Sequence, residues 1–293
     1  MSYQKIILMY HSVGSEAHPA VTGSFPVPLA RFIHQLDRAS EAGWAFGALS
    51  RLHEPVESDT LYITGDDGTA DWAANVLPWC EERGIPTHTG LITGPWRAEP
   101  IWPVAHRLQI LLALPGRKLA EPRLDPEQAA YVDRVYAYEK DERRRRLKGA
   151  CNVILTDEEA RTLLGPPDAE ELSHLRARFA APDVYRGFRH AEFGTHTLSH
   201  NAFSGDPMDY VLSEIVPCRR DLEAAGLRDS GFFTLPMRPR YPVTVEQLVP
   251  PLREHGFVGV LDGQGAWDGQ SFIVPRIDAK NVEEFLQLPA WQG

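Results

Sequence analysis

The sequence predicts a single α/β domain built as a parallel β/α barrel. Short apolar runs alternate along most of the chain with segments whose apolar residues recur at helical spacing, and this alternation is typical of parallel β/α folds. The chain has 293 residues, 43% of them hydrophobic, which is enough to bury one large core. In a barrel of this kind, functional residues are expected at the carboxyl ends of the strands.

The apolar runs predict seven strands, several of which end at or near a glycine. They are residues 5–11, 61–64, 87–92, 191–195, 231–235, 257–261 and 272–274. Helices are predicted where apolar residues recur every three or four positions. The clearest helical segments are 29–39, 72–80, 209–225 and 245–255.

The stretch from about Trp96 to His190 interrupts this alternation because it is long, charged and rich in helical patterns. We interpret it as an insertion in one strand-to-helix loop of a single domain that spans residues 1–293. Its basic run, residues 143–146, could bind phosphate, but Glu139, Asp141 and Glu142 precede it by about one turn and can pair with it. A solvated helix face is therefore the favoured interpretation.

Bulk composition excludes several classes of partner. The net charge is −10 and the pI is about 5.6, which opposes non-specific binding to nucleic acid or to an anionic membrane. No apolar run approaches the length of a signal-peptide core or a membrane span. Three widely spaced cysteines, Cys80, Cys151 and Cys218, suggest buried thiols in a reduced, cytoplasmic protein.

A pair of adjacent carboxylates, Asp66 and Asp67, lies directly after a predicted strand in Thr64-Gly65-Asp66-Asp67-Gly68. Neighbouring side chains on an extended backbone point in different directions, so one can bind a metal while the other faces a substrate. Aspartate and glycine are also favoured in turns for backbone reasons alone. The motif by itself leaves both interpretations open.

Two histidines four residues apart, His196 and His200, follow another predicted strand in Gly194-Thr195-His196-Thr197-Leu198-Ser199-His200. In a helical turn this spacing places both rings on one side, which suits two neutral imidazole ligands of a zinc-like ion. Together with one strand-end aspartate they leave coordination positions open for water and substrate. The combination predicts a catalytic metal site.

These two motifs together resemble the polysaccharide deacetylase family, also described by its NodB homology region or as carbohydrate esterase family 4. The family motif Thr-Phe-Asp-Asp-Gly is matched by residues 64–68, with Gly65 in the aromatic position, and His-Ser/Thr-x-x-His is matched by residues 196–200. The opening Leu8-Met9-Tyr10-His11 also matches the family in order and setting. Two further segments resemble the subgroup with a Phe-Ala-Tyr-Pro third motif: Phe232-Phe233-Thr234-Leu235-Pro236 and Val274-Pro275-Arg276-Ile277-Asp278.

The resemblance implies a distorted, incomplete β/α barrel that binds a divalent metal through Asp67, His196 and His200. Zinc is the expected ion, with cobalt, nickel or manganese as alternatives. Asp66 would be the general base, and a backbone N–H near Leu235-Pro236 would help bind the oxyanion. The reaction implied is hydrolysis of the acetamide of an N-acetylated amino sugar.

Two positions depart from the family pattern. The late Leu-x-His motif, which commonly supplies the general acid, is missing. His11 at the end of the first strand is the expected substitute, and a purely structural role for this strand-end histidine is the equally weighted alternative. In the third motif Met237-Arg238 replaces Tyr-Gly, which affects substrate binding and makes Arg238 a candidate contact. Trp96, at the start of the insertion, is suited to stacking on a sugar ring, although packing of the insertion on the barrel is the favoured role for most aromatic residues at its ends.

The insertion and the absence of an export signal favour a small substrate, such as an N-acetylated glycoside, a sugar nucleotide or a lipid-linked sugar, over a cell-wall polymer. Two alternatives remain: an enzyme of this fold that cleaves another carbon–nitrogen bond, such as a formamide, or a catalytically silent relative that only binds. A serine hydrolase is disfavoured because Gly-x-Ser-x-Gly does not occur.

Overall fold

The computed structural model describes residues 3–14, 25–240 and 242–292. Within these ranges the chain forms ten strands, which we number in chain order: β1 Lys5–Tyr10, β2 Val13–Gly14, β3 Val27–Pro28, β4 Ala45–Phe46, β5 Thr60–Gly65, β6 Thr87–Leu91, β7 Ala191–Thr195, β8 Asp229–Thr234, β9 Gly259–Gln264 and β10 Ile273–Asp278.

Seven parallel strands close into a barrel in the order β1-β10-β9-β8-β7-β6-β5, and β5 pairs again with β1. These are the seven strands that the apolar runs predict, so the barrel prediction is confirmed. The sequence patterns do not reveal the two-residue strands β2, β3 and β4. The strand β4 pairs outside the ring with β5, and β2 pairs only with β3.

The four predicted helices are present, each with one irregular turn or a short extension. The α-helices are α1 Leu29–Glu41, α2 Leu77–Arg83, α3 Val104–Ala113, α4 Pro126–Val135, α5 Glu142–Gly149, α6 Asp157–Leu164, α7 Ala169–Arg178, α8 Pro207–Tyr210, α9 Val216–Ala224, α10 Val249–Glu254 and α11 Val282–Phe285. π-Helical turns cover Trp72–Val76, Ala150–Ile154 and Val211–Ile215.

Two of these π-helical turns directly precede a proline. Pro78 lies at the second residue of α2, and Pro217 at the second residue of α9. A proline has no N–H to donate to the preceding turn, and its ring crowds the carbonyl four residues earlier. A widened turn accommodates this, and the helix continues beyond it.

The segment between β6 and β7 carries α3 to α7. It has a small apolar core of its own, with Leu108, Leu147 and Leu164 among its buried members. It also returns to the barrel, because Phe179 forms an isolated antiparallel bridge with Thr69 and the Tyr185 hydroxyl donates to the Gly68 carbonyl at 2.6 Å. Both contacts fall on the loop that follows Asp67.

The basic run on α5 is paired with carboxylates, as the sequence predicts. Arg146 contacts Glu142 at 2.7 Å, and Arg145 contacts Asp133 at 2.7 Å. Arg144 lies 3.7 Å from Glu139. A solvated, charge-paired helix face accounts for this run.

All three cysteines are buried and unbridged, in agreement with the prediction of structural thiols. Among the described residues, no helix is both long and apolar enough to cross a membrane.

Candidate active site

The loop after β5 directs two buried carboxylates to opposite sides. The Asp66 N–H donates to the Tyr10 carbonyl at 2.9 Å, which continues the pairing of β5 with β1 for one more residue. Asp67 then takes a left-handed backbone with φ 71°, followed by Gly68 with φ 65°. A left-handed aspartate is uncommon and costs of order 1–3 kcal/mol, and such strain is often found at functional sites.

Gly65 explains one departure from the family motif. A Cβ atom at Gly65 would lie 2.4 Å from the indole ring of Trp72, a distance that no real contact allows. Trp72 is fully buried and donates from Nε1 to the Thr89 hydroxyl at 2.9 Å. The large ring therefore comes from the following helix, and position 65 must be glycine.

The histidine motif does not form the helical turn that its spacing suggests. Residues 196–200 are a loop, in which Thr197 (φ 67°) and His200 (φ 61°) have left-handed backbones. A threonine in this region is a clear outlier because its β-branched side chain crowds the backbone. The predicted helical turn is thus wrong. Both rings nevertheless lie beside Asp67, because the left-handed residues of the loop bring them there.

Hydrogen bonds from the rest of the fold hold this loop in place. Glu214, in the π-helical turn between α8 and α9, accepts from the Ser199 N–H at 3.0 Å and from the Ser199 hydroxyl at 2.8 Å. The His200 N–H donates to the Thr197 hydroxyl at 2.8 Å. The strained backbone is therefore fixed by buried polar partners rather than by regular secondary structure.

Three histidines surround the Asp67 carboxylate, all of them buried. Asp67 Oδ1 lies 3.2 Å from His196 Nε2 and 3.3 Å from His200 Nε2, and Asp67 Oδ2 lies 3.4 Å from His106 Nε2. The ligand atoms of Asp67, His106 and His200 all lie within 4.8 Å of one another. The structure thus brings together the three predicted ligands and adds a histidine from the insertion.

Burial and charge act in opposite directions on this cluster. Burial alone would raise the pKa of Asp67, but the three histidines stabilise its carboxylate and hold the pKa well below the ordinary value. Burial lowers the pKa of His200, and it lowers that of His106 to about 4. Burial also disfavours the charged form of His196, but the hydrogen bond to Asp67 and the charge of Asp66 outweigh burial and raise the His196 pKa.

The donor set fits a divalent cation. His196 Nδ1 lies 2.9 Å from the Thr234 carbonyl, to which it can only donate, so a neutral His196 ring directs the lone pair of Nε2 at Asp67 Oδ1. Either a proton on Nε2, which the raised pKa of His196 favours, or a cation between the two atoms satisfies this contact. Two imidazoles and a carboxylate are ligands that zinc-like ions favour.

Unlike Asp67, Asp66 forms a buried ion pair with an arginine, Arg276 of β10. The pair is bidentate, with Nη1 to Oδ1 at 2.6 Å and Nη2 to Oδ2 at 2.7 Å. Burial would raise the pKa of Asp66, but the charge and hydrogen bonds of Arg276 lower it. Asp66 is therefore an anion at neutral pH.

A cavity of about 330 Å³ opens onto this centre. The barrel supplies His11, Asp67, His200, Pro236 and Met237 to its wall, together with Phe25 and Pro26 from the segment that precedes α1. The insertion supplies Ala105, Leu108, Gln109, Tyr136, Tyr138, Arg144, Lys148 and Asn152. His11 is 17% exposed, and its Nε2 lies 3.9 Å from Asp66 Oδ2.

The remaining sequence candidates lie in different surroundings. Leu235 is buried, and its N–H donates to the Leu261 carbonyl at 2.9 Å, so this N–H is not available to a ligand. Trp96 packs against the barrel core and donates from Nε1 to the Ala180 carbonyl at 3.0 Å. Neither Trp96 nor the exposed Arg238 lines the cavity, so their substrate contacts stay predictions.

Two residues of the centre escape sequence reasoning. His106 lies in the first turn of α3 with no recognisable motif around it, and only the insertion's return to the barrel brings it to Asp67. Arg276 lies in a segment that resembles the family, but nothing local in the sequence indicates that its partner is Asp66, 210 residues earlier. The available signal was an arginine just after the apolar run of a predicted strand, because such a residue, once buried, needs a partner of opposite charge.

No protein-family model and no curated protein matches the sequence. Solved structures do match. The deacetylase PplD of Streptococcus pyogenes, in complex with acetate, has a TM-score of 0.54 at 14% identity, over 99% of this chain and 100% of that one. IcaB of Ammonifex degensii has a TM-score of 0.54 at 14% identity, over 98% and 97%.

BC0361, a polysaccharide deacetylase of Bacillus cereus, has a TM-score of 0.52 at 11% identity, over 97% of this chain and 68% of that one. At these identities the likeness concerns the fold. Because it extends over nearly the whole of this chain, this protein has the fold of the polysaccharide deacetylases.

Proposed function

We propose that this protein is a metal-dependent hydrolase that removes the acetyl group from the nitrogen of a small N-acetylated amino sugar. One observation carries the proposal: Asp67 contacts His196 and His200 at the floor of a cavity, while the adjacent Asp66 is held as a buried anion by Arg276. An ion site and a separate carboxylate base are the two elements of metal-assisted hydrolysis of an unactivated amide.

Asp67, His196 and His200 would hold the ion, for which zinc is the proposed identity. When bound there, the ion polarises an amide carbonyl and lowers the pKa of a water ligand to about 7. The cluster is buried, so its electrostatic interactions are poorly screened by solvent.

Asp66 is the proposed general base. Each of its carboxylate oxygens has two lone pairs, of which Arg276 occupies one, so a lone pair remains to accept the proton of the attacking water. Arg276 also keeps the carboxylate charged and fixes its orientation. Because its pKa is lowered, Asp66 is deprotonated, as a general base must be, throughout the neutral range.

His11 is the proposed general acid. It is partly exposed to the cavity, and its 3.9 Å separation from Asp66 places it beside the base. It can donate a proton to the leaving amine as the carbon–nitrogen bond breaks.

The proposed position of the developing oxyanion is near the Leu235-Pro236 segment. The Leu235 N–H already donates to the Leu261 carbonyl, and proline has no N–H. The first candidate donor there is the backbone N–H of Met237, a residue of the cavity wall.

The cavity supports a small substrate. Its volume of about 330 Å³ lies at the lower end of the range of about 300–1,000 Å³ that is usual for small-molecule sites. The insertion forms much of its wall, so a long polymer could not pass through it. Tyr136 and Tyr138 of the insertion offer aromatic faces to a sugar ring.

The test is amine and acetate release from a panel of N-acetylated monosaccharides, sugar nucleotides and lipid-linked sugars, with zinc-loaded protein. We expect release from at least one of these compounds. His196→Ala and His200→Ala should lose both the metal and the activity while they keep the fold, as measured by elemental analysis and circular dichroism. The matched control is His34→Ala, on α1 far from the cluster.

Two outcomes would contradict the proposal. Formate release from N-formyl analogues, without acetate release from any acetylated compound, would make the protein a deformylase of the same fold. Stoichiometric metal and tight sugar binding without turnover of any amide would make it a binding protein.

A further inference from the structure

His106 is a buried histidine that the proposed mechanism does not use. It comes from α3 of the insertion, and its ring packs edge-on against Phe179 with centroids 4.9 Å apart and against His200 at 5.4 Å. Its Nε2 lies 3.4 Å from Asp67 Oδ2 without the geometry of a hydrogen bond, and the ligand atoms of His106, Asp67 and His200 lie within 4.8 Å of one another. Two roles are compatible with this position: a third histidine ligand of the ion, or a hydrogen-bond donor to Asp67.

The other ring nitrogen decides between these roles. His106 Nδ1 lies 3.3 Å from Nη1 of Arg178, whose guanidinium is also buried and donates to Gln109 Oε1 at 2.8 Å. A guanidinium has only donors, so Nδ1 cannot carry a proton toward it and must be the acceptor. In a neutral ring the proton then resides on Nε2, the nitrogen that faces Asp67.

A histidine that binds a metal through Nε2 needs the opposite arrangement. Its lone pair must lie on Nε2, and its Nδ1–H is normally donated to a carboxylate, a carbonyl or water. His196 has this arrangement, with the Thr234 carbonyl at Nδ1. His106 has a cation in that place, so the local polarity opposes metal ligation.

We propose that Arg178 and His106 form a relay from the insertion, in which Arg178 fixes the Nε2–H tautomer of His106 and thereby places the positive end of this N–H dipole 3.4 Å from Asp67 Oδ2, where it orients the metal-binding carboxylate. The proposal rests on the proposed function only in taking Asp67 as a metal ligand. His106 is then a positioning residue and not a ligand.

The surrounding contacts support the relay. Arg178 is the last residue of α7, and the next residue, Phe179, bridges to Thr69 two positions after Asp67. His106 and Arg178 lie on two helices of the insertion that pack against each other. The insertion therefore contacts the Asp67 loop twice, through the backbone bridge of Phe179 and through the His106 side chain. It follows that the position of the insertion on the barrel is coupled to metal affinity.

The test uses two substitutions of His106 in the full chain, with zinc affinity measured by chelator competition. H106L removes the donor, and we expect zinc affinity to fall about 10–100-fold, the usual effect of losing an outer partner of a metal ligand. H106Q keeps an N–H donor at a similar reach but is a poor zinc ligand, so it should retain most of the affinity. His174→Gln, half-buried on α7, is the matched control.

Cobalt loading separates the two roles, because its visible absorption reports the ligand set. The spectrum should be unchanged in H106Q, and Arg178→Met should weaken metal affinity without changing the spectrum of the loaded protein. Long-range ¹H–¹⁵N spectra should show the Nε2–H tautomer of His106 in the unsubstituted protein. Melting temperatures of the metal-free variants establish that each one folds.

Several results would overturn the relay. If H106Q lost the metal as completely as H106L and altered the cobalt spectrum, His106 would be a ligand. An Nδ1–H tautomer, or unchanged affinity in H106L, would exclude the orienting role while leaving the proposed function intact. If the unsubstituted protein bound neither zinc nor cobalt, the metal site of the proposed function would fail first, and the relay with it.

Discussion

At the residue scale, the site depends on two adjacent carboxylates that have different partners. Asp66 contacts a single cation, Arg276, whereas Asp67 lies among three imidazoles. The separation arises because Asp66 still follows the pairing of the strand while Asp67 turns into a left-handed conformation. One carboxylate can therefore serve a metal while the other serves as a base.

This division predicts different results for two isosteric changes. Asp66→Asn should keep the metal and lose about 10²–10⁴-fold in turnover, the usual contribution of a general base. Asp67→Asn should lose both metal and turnover. Elemental analysis and initial rates on the same preparations provide the measurement. Near-normal turnover of Asp66→Asn would show that Asp66 is not the base.

Removing Arg276 should affect both stability and pH dependence. Arg276→Met leaves the Asp66 carboxylate buried without its partner, and the free energy of unfolding should fall by about 3–5 kcal/mol. The pKa of Asp66, now lowered by Arg276, should rise, so the acidic limb of the rate profile should move to higher pH. Urea unfolding and the pH profile of kcat/KM measure the two effects, with the exposed Arg220→Met as control.

The sign of the pH effect on stability follows from the lowered pKa. A carboxyl whose pKa is depressed in the folded state stabilises the fold above its unfolded pKa of about 3.9, and this contribution disappears as the pH falls through the folded value. The double variant Asp66→Asn, Arg276→Met should lose this dependence and regain part of the stability. If the double variant were no more stable than Arg276→Met, an unpaired carboxylate would not be the cause.

At the element scale, an irregular helix fixes an irregular loop. The π-helical turn Val211–Ile215 precedes Pro217 and carries Glu214, whose carboxylate binds both polar groups of Ser199. That contact holds the loop in which Thr197 and His200 have positive φ. The position of His200 is therefore determined by a helix that follows it in the chain.

Glu214→Ala should loosen this loop. The Ser199 N–H would lose its buried acceptor, at a cost of about 1–3 kcal/mol in unfolding free energy. Zinc affinity should fall within the range of about 10–100-fold expected when an outer partner is lost. The control is Glu223→Ala on the exposed face of α9. Unchanged zinc affinity would mean that the left-handed turns hold the loop without Glu214.

At the scale of the whole molecule, the insertion between β6 and β7 supplies much of the cavity wall. Its residues line the cavity beside Asp67 and His200, and its return segment bridges to Thr69. We propose that this wall covers the site, which would exclude water, order a small substrate and keep out a long polymer.

Substrate size provides the corresponding prediction. We expect kcat/KM on a monosaccharide-sized N-acetyl substrate to exceed that on a long chitin oligomer, and cleavage of the oligomer to be confined to its end. Product analysis by mass spectrometry distinguishes terminal from internal cleavage. Faster cleavage of internal units would show that the insertion does not close the site, and it would leave the metal site untouched.

The sequence by itself determined the features whose cause is local. Each barrel strand is five or six residues long and contains a short apolar stretch, so all seven were predicted, and the carboxyl ends of those strands place Asp66, Asp67 and His196 at one end of the barrel. The short strands β2 to β4 were missed because a two-residue pairing leaves no periodic pattern. The helical turn expected at residues 196–200 was wrong because spacing alone does not report the left-handed backbone that Glu214 maintains.

Only the tertiary structure decided which distant side chains join this centre. Arg276 reaches Asp66 because the barrel closes between β10 and β1, and His106 reaches Asp67 because the insertion folds back onto the loop after β5. Both are buried polar groups that must find a partner of suitable charge or hydrogen-bonding character, and the choice of partner depends on three-dimensional proximity rather than on spacing along the chain.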